Sequence, residues 1–206
     1  MKRKQPRYRE ALSQEKKIKP SIDIARSSEA ASLLFNEKHT LATPKLSKLE
    51  RFGEYGSVKP SRFVPVPEAL SLEKLVEKQI GEGEAQLKRP KVVVLTLSAK
   101  RACDVHRSLS SLRCPCLKLF AKHMKVKEQV ALLDSREVVI VVGTPNRIFK
   151  LAEQKSLLFD ETSLVVVDMH KDKKEYDVLT MPGVSQDFFT LFRQHLQGSK
   201  AKLSLF

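Results

Sequence analysis

The sequence predicts an α/β fold, a three-layer domain built on a parallel sheet. Lys91 to Leu97, Glu137 to Val142 and Ser163 to Asp168 are strand-length apolar runs that do not alternate (VVVLTL, EVVIVV and SLVVVD). Strands of that kind are buried on both faces. Segments of helical periodicity lie between them, and strand–helix–strand units of this size close as right-handed parallel crossovers.

The elements follow in chain order. Ser71 is a good N-cap; Leu72, Leu75, Val76 and Ile80 then form one helical face, and Gly81 can end the helix. After the first apolar strand, Ala99 to Leu112 reads as a helix, Cys116 to Ala121 as a short strand and Val126 to Leu133 as an amphipathic helix. The Glu137–Val142 strand is followed by a helix from Pro145 to Ala152, with proline in its first turn. Beyond the third apolar strand come a helix from Gln186 to His195 and a last strand, Lys202 to Phe206.

Upstream the pattern is weaker. Residues 1–22 carry eight Lys or Arg against two Glu and read as a disordered basic arm. Residues 23–70 read as an extended and helical segment wrapped on the main domain, residues 71–206. Asp23 can cap a helix running through Glu37, with Ala25, Ala31, Leu33 and Leu34 on its buried face. Leu46, Leu49 and Phe52 recur at helical spacing between Leu41 and Glu54.

The formal net charge of the 206 residues is +14, which attracts a polyanion. Nucleic acid is the first candidate, because neutralising phosphates releases counterions. An anionic membrane surface is the second, and a merely solvated basic surface is the bland reading. No apolar run approaches the roughly 18 residues that span a bilayer. Cys103, Cys114 and Cys116 lack zinc-site spacing, and the histidines show no ligand pattern, so no metal is expected.

Ligands of open α/β sheets bind at the carboxyl ends of the strands. Ser98, Lys100 and Arg101 follow the first apolar strand; Thr144, Asn146 and Arg147 follow the second. A hydroxyl, helix N-terminal amides and an arginine together suit phosphate oxygens. Helix capping by Ser98 and Thr144 would produce the same residues. A further basic cluster, Lys118, Lys122, His123 and Lys125 with Lys127, surrounds Phe120. It can hold backbone phosphates, or its lysines are simply solvated.

Gly143-Thr-Pro-Asn-Arg-Ile148 after an apolar strand resembles the T-P-G-R segment of DEAD-box RNA helicases. Val165-Val-Val-Asp168 resembles the start of their D-E-A-D motif, with Met169 where the second acid would stand. The Ser98–Ala102 turn resembles P-T-R-E-L-A, and Lys202-Leu-Ser-Leu-Phe206 the strand leading to S-A-T. The resemblance implies a RecA-like sheet. Residues 40–90 carry no G-x-x-x-x-G-K-[ST], the loop that cradles triphosphate, so neither ATPase activity nor a cofactor is expected. Lys118-Leu-Phe-Ala-Lys-His-Met-Lys-Val126 together with Gly143–Ile148 is more similar still to the Cms-one family of subunits of the U3-containing 90S pre-ribosomal complex. That resemblance implies a nucleolar, non-catalytic factor of small-subunit assembly. Its expected partners are precursor ribosomal RNA or U3 small nucleolar RNA and small-subunit assembly proteins. It would be a monomer outside the complex, without a membrane partner. A protein-docking module without direct RNA contact is the alternative.

Overall fold

The computed structural model describes residues 26–53, 56–81, 84–122 and 124–206. The basic arm, Asp23, Ala25 and His123 lie outside the described residues.

Five parallel strands form the central sheet: β2 (Val92–Leu95), β3 (Cys116–Leu119), β5 (Ile140–Gly143), β6 (Leu164–Val167) and β7 (Lys202–Leu205), in the order β3-β5-β2-β6-β7. Every residue of β2, β5 and β6 is buried, as expected of strands covered on both sides. Alternate residues face two separate cores. Val93, Leu95, Val141, Val165 and Val167 pack with α5 (Val126–Ser135), α6 (Pro145–Glu153) and α7 (Val184–Leu191). Val92, Val94, Ile140, Val142 and Val166 pack with α3 (Leu72–Ile80) and α4 (Ala99–Ser108). The three-layer parallel architecture expected from the sequence is the one found.

Two elements differ from their sequence reading because hydrogen bonds to neighbours reshape them. The Glu137–Val142 run divides at Val139. There the Val139 carbonyl accepts from the amides of Lys91 and Val92, and the Val139 and Ile140 amides both donate to the Pro115 carbonyl. Glu137–Val138 (β4) is thereby turned to pair antiparallel with β1 (Gln86–Leu87). The last helix starts at Val184 and widens into a π turn over Phe192–Leu196. Arg62 lies against that turn: its guanidinium donates to the carbonyls of Leu196, Gln197 and Ala201 and to the Ser199 hydroxyl.

The upstream segment is docked on the sheet's α7 side. Helix α1 runs Ser28–Ala42 and is capped by Ser27, whose hydroxyl accepts from the Ala30 amide. Its buried face is Ala31, Ser32, Phe35 and His39, whereas Leu33 is 73% exposed. The face is decided by an aromatic cluster that the aliphatic pattern did not indicate. The Phe35 ring meets Phe63, Phe188, Phe189 and Phe192 edge-on at 4.9–5.9 Å between centroids, the geometry that ring quadrupoles favour. The helix is also latched to the following loop. The Ser32 hydroxyl and the Asn36 amide donate to the Val58 carbonyl, and the Val58 amide donates to Asn36 Oδ1. Helix α2 is only Lys48–Phe52, closed by a capping box of Ser47 and Glu50. Its Phe52 is buried and its Leu49 is exposed. Arg51 turns back to donate to the carbonyls of Thr43 and Leu46 beyond the end of α1.

His39 is sealed in this cluster. Its ring stacks on Phe189 at 4.5 Å and 7°, and neither ring nitrogen has a hydrogen-bond partner. Burial first, then the nearby Arg193 and Arg51 cations, lower its pKa to about 3. The folded value lies below the unfolded one of about 6.5, so this group's contribution is full above pH 6.5 and is lost as the pH falls toward 3. Between pH 7.5 and pH 5 the ring should cost the native state about 2 kcal/mol. Urea melts of wild type and His39→Phe should diverge by that amount at pH 5 after being matched at pH 7.5.

Candidate nucleic-acid interface at the carboxyl edge of the sheet

The chain leaves β2 for the edge strand β3, returns to β5 between them, then crosses to β6 and β7. Helix α4 covers one face on the outward leg; α5, α6 and α7 cover the other. Such a reversal opens a crevice beyond the strands. A cleft of about 400 Å³ lies there, lined by Ser98, Phe120, Lys122, Thr144, Asn146 and Asp187 among others. The fold thus brings together four of the residues expected to bind RNA, Ser98, Lys122, Thr144 and Asn146.

Gly143 makes this meeting possible. A Cβ there would stand 2.2 Å from the Leu119 carbonyl oxygen, so only glycine lets β5 approach β3 at this height. The Thr144 amide donates to the same carbonyl, while the Thr144 carbonyl accepts from the amides of Arg147 and Ile148. Thr144 stands at the N-cap of α6 without a side-chain capping bond. Ser98 does cap: its hydroxyl accepts from the Arg101 amide at 3.2 Å. Asn146 donates its side-chain amide to Asp187 at 3.0 Å, tying α6 to α7.

Both arginines have guanidiniums engaged within the fold, which the sequence reading did not foresee. Arg101 makes a bidentate ion pair with Asp168, both bonds at 2.8 Å, with the Asp168 side chain only 3% exposed. Arg147 is 6% exposed and points inward, donating to the Met124 carbonyl and to Gln129 Oε1, each at 2.8 Å. Gln129 in turn donates to the Phe120 carbonyl at 3.1 Å. The physical reason is the same for both. A partly desolvated cation is costly to leave unpaired, and each finds a fixed acceptor within the fold. Arg147 acts on the basic cluster indirectly, because it holds both ends of the loop carrying Lys122. Nothing in the residue pattern around Arg147 distinguishes such a role from a surface one; the register of α5 against α6 decides it.

The lysines do face outward. Lys100, Lys118, Lys122, Lys125 and Lys127 are exposed, and none forms an ion pair among the described residues. Lys118 lies on the edge strand β3, and Lys125 precedes α5, where its backbone amide donates to Glu128. Met169, next to Asp168, is buried in the α7-side core.

Residues 60–200 match the model of the family described as CMS1, the U3-containing 90S pre-ribosomal complex subunit. The chain belongs to that family. Human Protein CMSS1 is 31% identical over 135 residues, 62% of this chain and 48% of the relative. Protein CMS1 of Chaetomium thermophilum is 34% identical over 116 residues, 53% of this chain and 46% of the relative. The chain therefore spans about half the length of these curated relatives. Similar solved structures include a DEAD box protein from Methanococcus jannaschii, with TM-score 0.49 and 21% identity over 65% of this chain and 33% of that one. Another is S. cerevisiae Dbp5 bound to RNA and ADP BeF3, with TM-score 0.45 and 13% identity over 65% of this chain and 32% of that one.

Removing one partner of the Arg101–Asp168 pair would strand the other in a poorly hydrated place. Arg101→Ala should cost about 3 kcal/mol of stability. The double variant Arg101→Ala/Asp168→Ala should cost clearly less than the sum of the two single changes, as read from a urea-denaturation double-mutant cycle.

Proposed function

We propose that this chain is a non-catalytic assembly factor of the small-subunit ribosomal precursor that holds RNA backbone on the exposed lysines at the carboxyl edge of its sheet. The membership of the pre-ribosomal subunit family supports the setting. It also supports a nucleolar location, with precursor ribosomal RNA or U3 small nucleolar RNA and small-subunit assembly proteins as neighbours. The observation that carries the mode of action is that Lys122 lines the cleft exposed and Lys100, Lys118 and Lys125 are exposed on neighbouring segments, while the guanidiniums of Arg101 and Arg147 are engaged within the fold. Solvated lysines supply sequence-independent phosphate contacts, whereas Arg101 and Arg147 keep the platform rigid. His123, in the same basic segment, belongs to this reading by its place in the sequence.

The absence of catalysis is supported by what fills the nucleotide-binding positions. Phe63 pairs in parallel with Leu203 of β7, and the Val64 amide donates to the Leu203 carbonyl. This short strand, the loop Pro65-Val-Pro-Glu-Ala-Leu-Ser71 and α3 form a strand–loop–helix unit crossing back to β2, the arrangement in which a glycine-rich loop would cradle phosphates. Here Val66 is fully buried beside Leu72, Leu75 and Val76, and the Ser71 hydroxyl caps α3. The loop is packed against its own helix. Asp168 is neutralised by Arg101, and Met169 lies where a second carboxylate would be needed.

A docking role without RNA is the alternative. It is favoured by Asp187 and by the apolar Leu97, Phe120, Pro145 and Val184 lining the same cleft. Salt dependence separates the two readings. Lys100→Glu/Lys122→Glu/Lys125→Glu should weaken binding of a structured RNA by roughly tenfold or more at 0.1 M salt and flatten its log–log salt slope by about 2 to 3. Unchanged binding with a wild-type melting temperature would favour the docking reading. Millimolar Mg-ATP should leave the melting temperature where it is, whereas a ligand-dependent rise would reinstate nucleotide binding.

A further inference from the structure

A second basic cleft lies at the other end of the sheet, where β7 begins. Its volume is about 270 Å³, and its lining includes Ser57, Lys59, Arg62, Ser199, Lys200 and Lys202. Two stretches far apart in sequence build it: the loop after α2 with the 3-10 turn Pro60–Arg62 that follows it, and the turn between the π segment and β7. We propose that this cleft is a separate phosphate-binding site for RNA backbone, remote from the carboxyl edge.

Three features support it. The first is charge: the lining holds four cations, Lys59, Arg62, Lys200 and Lys202, and no carboxylate among the described residues. The carboxyl-edge cleft, by contrast, contains Asp187. The second is the fixed position of Arg62. Four of its hydrogen bonds go to the Leu196, Gln197 and Ala201 carbonyls and the Ser199 hydroxyl. Those acceptors are neutral, so the guanidinium charge is held in place without being neutralised, and, unlike the buried Arg147, Arg62 stays half-buried in the lining of the cleft. An anion entering beside it meets an immobilised cation and gives up little conformational entropy to organise it. The third is the mixture of donors. The Ser57 and Ser61 hydroxyls stand among lysine ammoniums, a combination suited to the several unshared oxygens of a phosphodiester. Lys202 is oriented by donating to the Ser61 carbonyl at 2.7 Å. Lys59 and Lys200 are exposed and are the mobile arms of the site.

The ligand class follows from that chemistry. Among the described residues the one aromatic ring in the lining, Phe192, is buried and already packed against Phe35 and His39. No base-stacking platform is offered among the described residues, and the cations and hydroxyls that are present suit phosphate. With lysines exposed at both ends of the sheet, an RNA strand or two helical segments can be held on opposite ends of one rigid body.

The test uses the full chain and a fluorescent structured RNA over a salt series. Lys59→Gln/Lys200→Gln removes two charges from the cleft without touching any described side-chain bond. Lys74→Gln/Lys78→Gln, on exposed positions of α3, is the charge-matched control. The cleft variant should lose about fivefold or more in affinity and flatten the salt slope by about 1.5 to 2, while the control changes by less than about twofold. Equal losses in the two variants would mean that only overall charge matters and would overturn the site. A loss confined to the carboxyl-edge lysine variant would overturn the cleft but leave the proposed function standing. If labelled poly-glutamate binds wild type and not the cleft variant while RNA binds both alike, the cleft takes acidic peptide and the RNA assignment fails.

Discussion

A parallel sheet with apolar strands on both faces cannot be left half covered, and most of this structure follows from that constraint. Strands β2, β5 and β6 place alternate valines into two cores. Each face loses the hydrophobic contribution of its side chains unless helices shield it, at about 25 cal/mol for every Å² of apolar surface left in water. Helices α3 and α4 close one face; α5, α6 and α7 close the other. The second face is the broader one, and α1 completes it by inserting Phe35 among Phe63, Phe188, Phe189 and Phe192. The upstream segment is in this sense part of the domain's core.

The same constraint accounts for how polar groups are used. Once a sheet is buried, charges at its margins must be paired or held by acceptors. Arg101 answers Asp168, Arg147 answers Met124 and Gln129, Arg62 answers the carbonyls beyond α7, and Arg51 answers those beyond α1. Guanidinium groups suit these places because their planar fork satisfies several acceptors at once. Lysines, better hydrated and more flexible, are left on the surface. The division of labour gives a scaffold stitched by arginine and decorated by lysine, which suits long-range attraction to a polyanion without demanding a base sequence.

Where the sequence resemblance to helicases would place phosphate-binding and acidic groups, this chain shows packing and an internal ion pair. The loop 65–71 buries Val66 against α3, Asp168 is paired, and Met169 is in the core.

Sequence alone determined the layer architecture, because non-alternating valine runs at helix-length spacing have few other solutions; it also exposed the motif 143–148 and the lysines of 118–127. It misread α1, for a reason visible in the residues. Leu33 and Leu34 look like a buried pair, but the partner surface is aromatic, so Phe35 and His39 turn inward and Leu33 faces water. The internal bonds of the arginines were not legible for a related reason. The pattern Thr-Pro-Asn-Arg gives the position of Arg147 on its helix but not what stands opposite, and only the approach of α5 supplied Gln129 as its acceptor. The Lys59–Lys202 cleft was invisible in the sequence, since its walls come from segments some 140 residues apart. Local periodicity determines which elements form; which charges remain free is decided only when the elements meet, because a charged group's fate depends on the acceptors that tertiary contacts bring within hydrogen-bond reach.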